Sequence, residues 1–260
     1  MTDRDLVPLG AFAQNAWSVS AAEVSLVRAR DAARPVTLGD RDRKVTLDIG
    51  RTAIVVVDMQ NDFCHPQGWL AHIGVDVAPC RAPIAPLQAL LPMLREAGVP
   101  VIWLNWGNRP DRANLPPSVL HVYDPDGRST GIGKPLPGNG AHVLEEGSWA
   151  AAVVDELAPA PGDIAVSKYR MTGFQDTELE AILRNLDVTT VLFAGVNADQ
   201  CVLNTLTDAV ARGFDAVLLE DCSATSSPAF CMEATLYNVR QCYGFVCDGA
   251  DLRAALEAGA

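Results

Sequence analysis

Short apolar runs rich in β-branched residues recur along this chain at helix-length intervals, and few folds accommodate that pattern. Ala53–Val57, Val101–Leu104, Ile164–Ser167, Val191–Gly195, Ala216–Leu219 and Gly244–Cys247 each read as a strand. Pro86–Ala97, Ser148–Leu157, Thr177–Asn185, Ala198–Arg212 and Pro228–Val239 read as helices between them, with Gly98 and Gly213 as stops. Runs such as Ile54-Val-Val-Val57 show no polar alternation, so both faces of their sheet must be covered, as in parallel sheets. The pattern predicts a single-domain, three-layer α/β fold, Rossmann-like, with six parallel strands flanked by helices. Residues 1–50 are polar, Arg/Asp-rich and weakly periodic. They read as an N-terminal extension packing on the 51–260 domain or on a neighbouring subunit. Residues 106–148 are rich in Gly, Pro, Asn and Asp and too long for a plain connection, which marks a functional insertion.

Charge narrows the possible partners. Lys+Arg 20 against Asp+Glu 32 gives a net charge of −12, which argues against nucleic acid and anionic lipid. No apolar run approaches the roughly 20 residues that span a bilayer. The start, MTDRDLVPLGAFAQNAW, is acidic and interrupted by Pro8, unlike a signal peptide. Seven cysteines without a CxxC pair read as reduced thiols, so a cytoplasmic location is expected.

In open parallel sheets ligands bind beyond the carboxyl ends of the strands. Asp58 ends the first strand, Lys168 ends the third, and Gly195-Val-Asn-Ala-Asp-Gln-Cys201 joins the fourth to its helix. A structural Lys–Asp pair accounts for the first two equally well. Cys201 tips the balance, because a helix N-terminus and a nearby ammonium would favour thiolate over thiol. Cys80, Cys222, Cys231, Cys242 and Cys247 read as inert core residues. Cys64 reads as a rim residue without a partner.

The segments AIVVVDMQNDFC, SKYRMTGFQDTELEAIL and FAGVNADQCVLNTLTDAVARGFDAVLLEDC resemble the three signature regions of the isochorismatase-like cysteine hydrolases, over about residues 50–250. The resemblance implies a Cys–Asp–Lys triad at Cys201, Asp58 and Lys168. It also implies a non-proline cis peptide at Val196–Asn197, with the Asn197 and Cys201 backbone N–H groups forming an oxyanion hole. Members usually have Ala or Thr where this chain has Asn197. Nicotinamidases of this superfamily carry a metal-binding Asp/His/His set. Here the corresponding stretch is WLNWGNRPD, and His65, His72, His121 and His142 lack ligand spacing, so neither a metal nor a cofactor is expected.

Two branches are similar in detail. EGSW, VDELAPAPGDI and the Lys168–Leu183 pattern resemble ureidoacrylate amidohydrolases. Gln241 resembles the substrate-binding glutamine of biuret hydrolases, and Phe63 a pocket aromatic of the same enzymes. Helix capping by Gln241 and core packing by Phe63 are the alternatives. A basic residue that biuret hydrolases carry after the catalytic lysine is Met171 here, which favours a longer ureide such as triuret. Asn105, with Trp106 and Asn108, is expected to line the pocket or to form a turn before Pro110, and Arg170 to meet a substrate carboxylate or a surface partner. The expected activity is cysteine-dependent hydrolysis of a C–N bond in a small ureido or carbamoyl compound. Triuret or biuret-type ureides lead, and ureidoacrylate or another N-carbamoyl compound follows. A non-catalytic metabolite-binding member and a redox sensor are the rivals. The expected partners are the small-molecule substrate and copies of the chain itself, as a dimer or tetramer.

Overall fold

A computed structural model describes residues 6–28 and 31–259. Residues 1–5, Ala29, Arg30 and Ala260 lie outside the described residues, so the N-terminal reading is followed only through the remainder. Six strands form one wholly parallel sheet: β1 (Thr52–Val57), β2 (Val101–Trp106), β3 (Ile164–Lys168), β4 (Thr190–Gly195), β5 (Asp215–Ser223) and β6 (Phe245–Cys247). Their order is β6-β5-β4-β1-β2-β3. The chain thus winds outward in one direction from β1, then returns to pair β4 on its other side. Ligand crevices open at such a reversal.

Every residue of β1 and of β4 is buried, which explains their lack of polar alternation. Ile54 and Val56 point into one core layer, filled by Leu87, Leu90 and Leu94 of helix α1 (Ile84–Glu96). Ala53, Val55 and Val57 point into the other. That layer is filled by helix α2 (Leu179–Asn185) and helix α3 (Leu203–Ala211), through Leu183 and Leu206. Helix α4 (Ala229–Asn238) precedes β6. Helix α5 (Gly249–Gly259), which the sequence reading left unassigned, joins the first layer through Leu252. No helix among the described residues is long and apolar enough to cross a membrane.

Two helix expectations need correction. Ser148–Leu157 is a pair of 3-10 turns, Trp149–Ala151 and Asp155–Leu157, rather than one helix. The carbonyls that would propagate a helix are taken elsewhere: Asn61 Nδ2 donates to Trp149 O (2.8 Å), Gln60 Nε2 to Ala151 O, and the Asn61 N–H to Ala152 O (2.9 Å). Ala198–Arg212 begins not as an α-helix but as a π-helical turn, Ala198–Val202. Asn197 O there accepts from both Gln200 N (3.0 Å) and Val202 N (3.2 Å), which widens the turn that carries Cys201.

Within 31–50 an antiparallel hairpin, Pro35–Asp40 with Arg43–Asp48, buries Leu38, Val45 and Leu47 in the first core layer. Residues 6–28 form a small antiparallel sheet that touches the body through Phe12 and a bond from Gln14 Nε2 to Leu186 O (3.3 Å). The 106–148 insertion contains one short helix, Pro117–Tyr123, and sends Leu115, Tyr123, Ile132, Leu136 and Leu144 into the core.

Candidate active site

The reversal point of the sheet assembles the site. Val57 and Gly195 are register partners at the ends of β1 and β4, so the residues that follow them emerge side by side. Gly195 adopts φ +107, and a Cβ there would lie 2.1 Å from Val57 O, so no side chain fits at this crossing. Asp58 leaves β1 in the left-handed region (φ 50), and its N–H donates to Leu104 O (2.9 Å). Lys168, at the end of β3, lies with its Nζ 4.5 Å from the Trp106 ring centroid and reaches Asp58 Oδ2 at 2.9 Å. Its Nζ also donates to Cys201 Sγ at 3.3 Å and to Arg170 O at 3.3 Å. Asp58 Oδ1 accepts from the Trp106 N–H (2.9 Å). The contact of Oδ2 with Lys168 is an ion pair without hydrogen-bond alignment, which leaves a lone pair of that oxygen open.

The structure therefore brings together Asp58, Lys168 and Cys201, all buried. Burial opposes the Lys168 charge, but the Asp58 carboxylate and the Cys201 sulfur outweigh it and hold the ammonium above its ordinary range. The thiolate expectation for Cys201 is corrected. Burial comes first, and the adjacent Asp58 carboxylate adds to it; together they push the thiol up to about 12 despite the opposing pull of Lys168. At neutral pH the resting sulfur carries its proton.

Val196–Asn197 is a cis peptide. The Asn197 N–H has no hydrogen-bond acceptor among the described residues. The Asn197 side chain, by contrast, is occupied. Its Oδ1 accepts from Ser226 N (3.0 Å), with Thr225 Oγ1 and Ser226 Oγ at 3.3 Å and Cys80 Sγ at 3.6 Å. The asparagine thus ties the β4 turn to the loop after β5, a tie an alanine could not make.

A cavity of about 130 Å³ opens above the triad. Its lining includes Asp58, Cys201, Asn197, Phe63, Met171 and Gln200. Phe63 thus both lines the cavity and packs in the first core layer. Gln241 does not line it: it is exposed on the turn after α4, in a separate polar cleft with Asp40, Arg43 and Arg240. The cause is local, because Val239–Tyr243 forms a π-helical turn closed against the hairpin by the Arg240–Asp40 pair (2.8 Å). Asn105 is also corrected. It is a half-buried strand residue outside the cavity lining, with its Oδ1 unpartnered. Arg170 is occupied too, donating to Asn114 O and Tyr169 O at 2.9 Å.

Sequence reasoning missed the wall made by Trp69, Leu70, Val122 and Tyr123, together with Gln200 and Ser226. Trp69 and Leu144 are held by one buried group, Asp62, which accepts from Trp69 N (3.0 Å) and Leu144 N (2.7 Å). The apolar residues of this wall carried no signal to separate them from core. Nor did Asp62, because its burial in the Asn61–Cys64 turn is visible only in the structure.

Residues 52–251 match the model of the isochorismatase domain. The chain belongs to the isochorismatase family. Among solved structures, a cysteine hydrolase from Pseudomonas syringae pv. phaseolicola 1448A is 26% identical, with a TM-score of 0.70, over 88% of this chain and 100% of that one. N-carbamoylsarcosine amidase from Thermoplasma acidophilum is also 26% identical, with a TM-score of 0.58, over 76% of this chain and 96% of that one. An isochorismatase family protein from Desulfovibrio vulgaris, 24% identical at a TM-score of 0.64, shares the fold. This isochorismatase-family chain accordingly has hydrolases as its solved relatives, and its hairpin at 35–48 precedes the matched region.

Proposed function

We propose that this chain is a cysteine-dependent amidohydrolase that cleaves a C–N bond of a small ureido or carbamoyl compound. The observation that carries the reading is the contiguous Asp58–Lys168–Cys201 contact at the floor of one cavity. A binding module has no need to bury an ammonium, a carboxylate and a thiol in mutual contact, since ion burial is costly.

The steps follow from the protonation states. Cys201 Sγ attacks the substrate carbonyl carbon while its proton passes to the open Asp58 oxygen. The carbonyl π electrons move to oxygen, and the Asn197 and Cys201 N–H groups hold that oxyanion, at about 2.7–4 kcal/mol per donor. Collapse breaks the C–N bond, and Asp58 returns the proton to the departing nitrogen. Water then hydrolyses the thioester and restores the thiol. Lys168 keeps its charge throughout and offsets the negative charge that moves between sulfur and carboxylate.

The substrates favoured in this proposal are uncharged triuret- or biuret-type ureides. None of the eleven lining residues is Arg, Lys or His, and Lys168 behind them is already paired. With Gln241 outside the cavity, this neutrality and Phe63 replace it as the support for that branch. A second reading, hydrolysis of an N-carbamoyl acid or ureidoacrylate, is favoured by the likeness to N-carbamoylsarcosine amidase. Ammonia release from triuret, biuret, ureidoacrylate and N-carbamoyl amino acids decides between them. Turnover of the uncharged ureides is expected, and preference for the acids establishes the second reading. Assembly into a homo-oligomer belongs to the same proposal, since Leu9, Val24, Leu26 and Val27 of the N-terminal sheet are exposed. Light scattering tests it, with a monomer as the contrary result.

A further inference from the structure

Among the described residues, the Tyr123 hydroxyl belongs to the cavity wall and is used by neither the mechanism nor a hydrogen bond within the protein. Its side chain is buried, and its ring is fixed between Trp69 (centroids 5.2 Å apart) and Trp106 (5.3 Å). The latter ring also packs against the Lys168 ammonium, so tyrosine, tryptophan and lysine form a chain of contacts, the rings tilted at 57°, that reaches the triad. The neighbours are themselves anchored. Trp69 Nε1 donates to Thr130 O (2.6 Å) and its N–H to Asp62, while the Trp106 N–H donates to Asp58. The ring therefore cannot swing away to satisfy its hydroxyl elsewhere.

Among the described residues the phenolic oxygen has no hydrogen-bond partner, and Tyr123 lines the cavity that holds Asp58 and Cys201. A tyrosine in an apolar wall ordinarily finds a partner for its hydroxyl, and the cavity is the side from which a substrate can supply one. Burial, reinforced by the fields of Cys201 and Asp58, keeps this phenol protonated well above its ordinary range, so it is a donor at any working pH. Of the other polar wall groups, Gln200 Nε2 donates to Ser227 Oγ (3.2 Å) and the Ser226 hydroxyl donates to Asn197 Oδ1 (3.3 Å), so both amides are tied to the loop after β5.

We propose that Tyr123 is a specificity-determining residue whose hydroxyl donates a hydrogen bond to the second, non-scissile carbonyl oxygen of a neutral ureide. The proposal rests on the amidohydrolase reading above and adds the substrate feature that the wall recognises: a carbonyl oxygen beyond the one attacked. A donor anchored in the wall of the cavity that holds Cys201 orients the substrate there, and a lone urea group has nothing to offer it.

Steady-state kinetics of the full chain with biuret, triuret and N-methylurea, in the wild type and Tyr123→Phe, test this. Phenylalanine retains the stacking surface, and an unchanged melting temperature confirms that the wall persists. The expected result is a loss of about tenfold in kcat/KM for biuret and triuret, carried mainly by KM, as for one neutral hydrogen bond. Turnover of N-methylurea, at whatever level the wild type shows, is expected to stay within twofold. Equal kcat/KM for biuret and triuret in both proteins overturns the proposal, as does a loss shared by all three substrates. If the wild type hydrolyses no ureide or carbamoyl compound, the amidohydrolase reading falls and takes this one with it. If instead Cys201→Ala abolishes ureide turnover and Tyr123→Phe does not alter it, the inference alone fails.

Discussion

Asp58 and Lys168 hang from the ends of sheet strands and Cys201 from the turn just after one, whereas Trp69, Val122 and Tyr123, which line the same cavity, come from short helices and the 106–148 insertion. Strand-end positions are fixed by parallel ladders in which every residue is paired, as Val57 is with Gly195. The wall is fixed by a few side chain-to-backbone bonds, above all those of Asp62 to Trp69 and Leu144. On the proposed function, the reacting groups hang from the paired ends of the sheet, and the groups that would contact the rest of the substrate hang from loops where a change alters the pocket without touching the triad.

The largest effect that separates the two regions is removal of the nucleophile. Cys201→Ala is expected to lower kcat by at least roughly 10³-fold with little change in melting temperature, because the residue sits in a turn and leaves only a small void. Near-wild-type turnover in that variant ends the cysteine mechanism. Thiol reactivity gives the next largest contrast. With burial and Asp58 pushing its thiol up, Cys201 is held mostly as the thiol at pH 8 and is shielded, while Cys242 is exposed and Cys231 half-buried. Iodoacetamide followed by peptide mass spectrometry is expected to label Cys242 first, Cys231 next and Cys201 last. Early labelling of Cys201 would show that the thiolate exists at rest and that Asp58 is not needed to take its proton.

The same division governs what the amino-acid order reveals. The sheet, its two buried faces and the strand-end positions of Asp58 and Lys168 could be read directly, since uniform β-branched runs such as Ile54–Val57 announce strands covered on both sides and the residue after each run faces the ligand edge. Cys201 was marked by its loop–helix junction, and its grouping with the other two by the family resemblance. Phe63 came only from the resemblance to biuret hydrolases, since nothing in its own spacing separates a pocket aromatic from a core one. Gln241 and Asn105 failed because side-chain direction after a strand or helix depends on local turn geometry, here a π-helical turn and an unbroken β2. The thiol state of Cys201 failed for an electrostatic reason: desolvation and Asp58 acting together outweigh the ammonium. Tyr123 was invisible, as one aromatic in a Gly/Pro-rich stretch with no strand to place it.

Stability separates the regions again. Lys168→Ala leaves the Asp58 charge buried without its partner and is expected to cost about 3–5 kcal/mol in urea unfolding. The double change Asp58→Asn with Lys168→Met removes both charges and is expected to regain most of that loss while remaining inactive. Such a result means the pair is kept for its chemistry. A Lys168→Ala variant as stable as the wild type would show that water already reaches the pair.

The smallest effect belongs to the wall, and it depends on pH. Burial raises the Asp62 carboxyl from its usual 3.8 to about 6, against the stabilising pull of the Leu144 and Trp69 N–H groups. A folded-state value above the unfolded one means that this group favours folding fully below about pH 3.8 and loses that contribution as pH rises through about 6. The change amounts to at most on the order of 3 kcal/mol. Asp62→Asn cannot titrate, and its amide serves one of the two N–H groups at most. Urea unfolding should therefore find the variant clearly less stable than the wild type at pH 4.5, with the gap narrowing at pH 7.5. Since only the anchoring of Trp69 and Leu144 is weakened, KM should rise at pH 7.5 while kcat changes less. A gap of the same size at both pH values would mean that Asp62 does not titrate differently in the fold. An equal loss in kcat would mean that wall and triad are one mechanical unit.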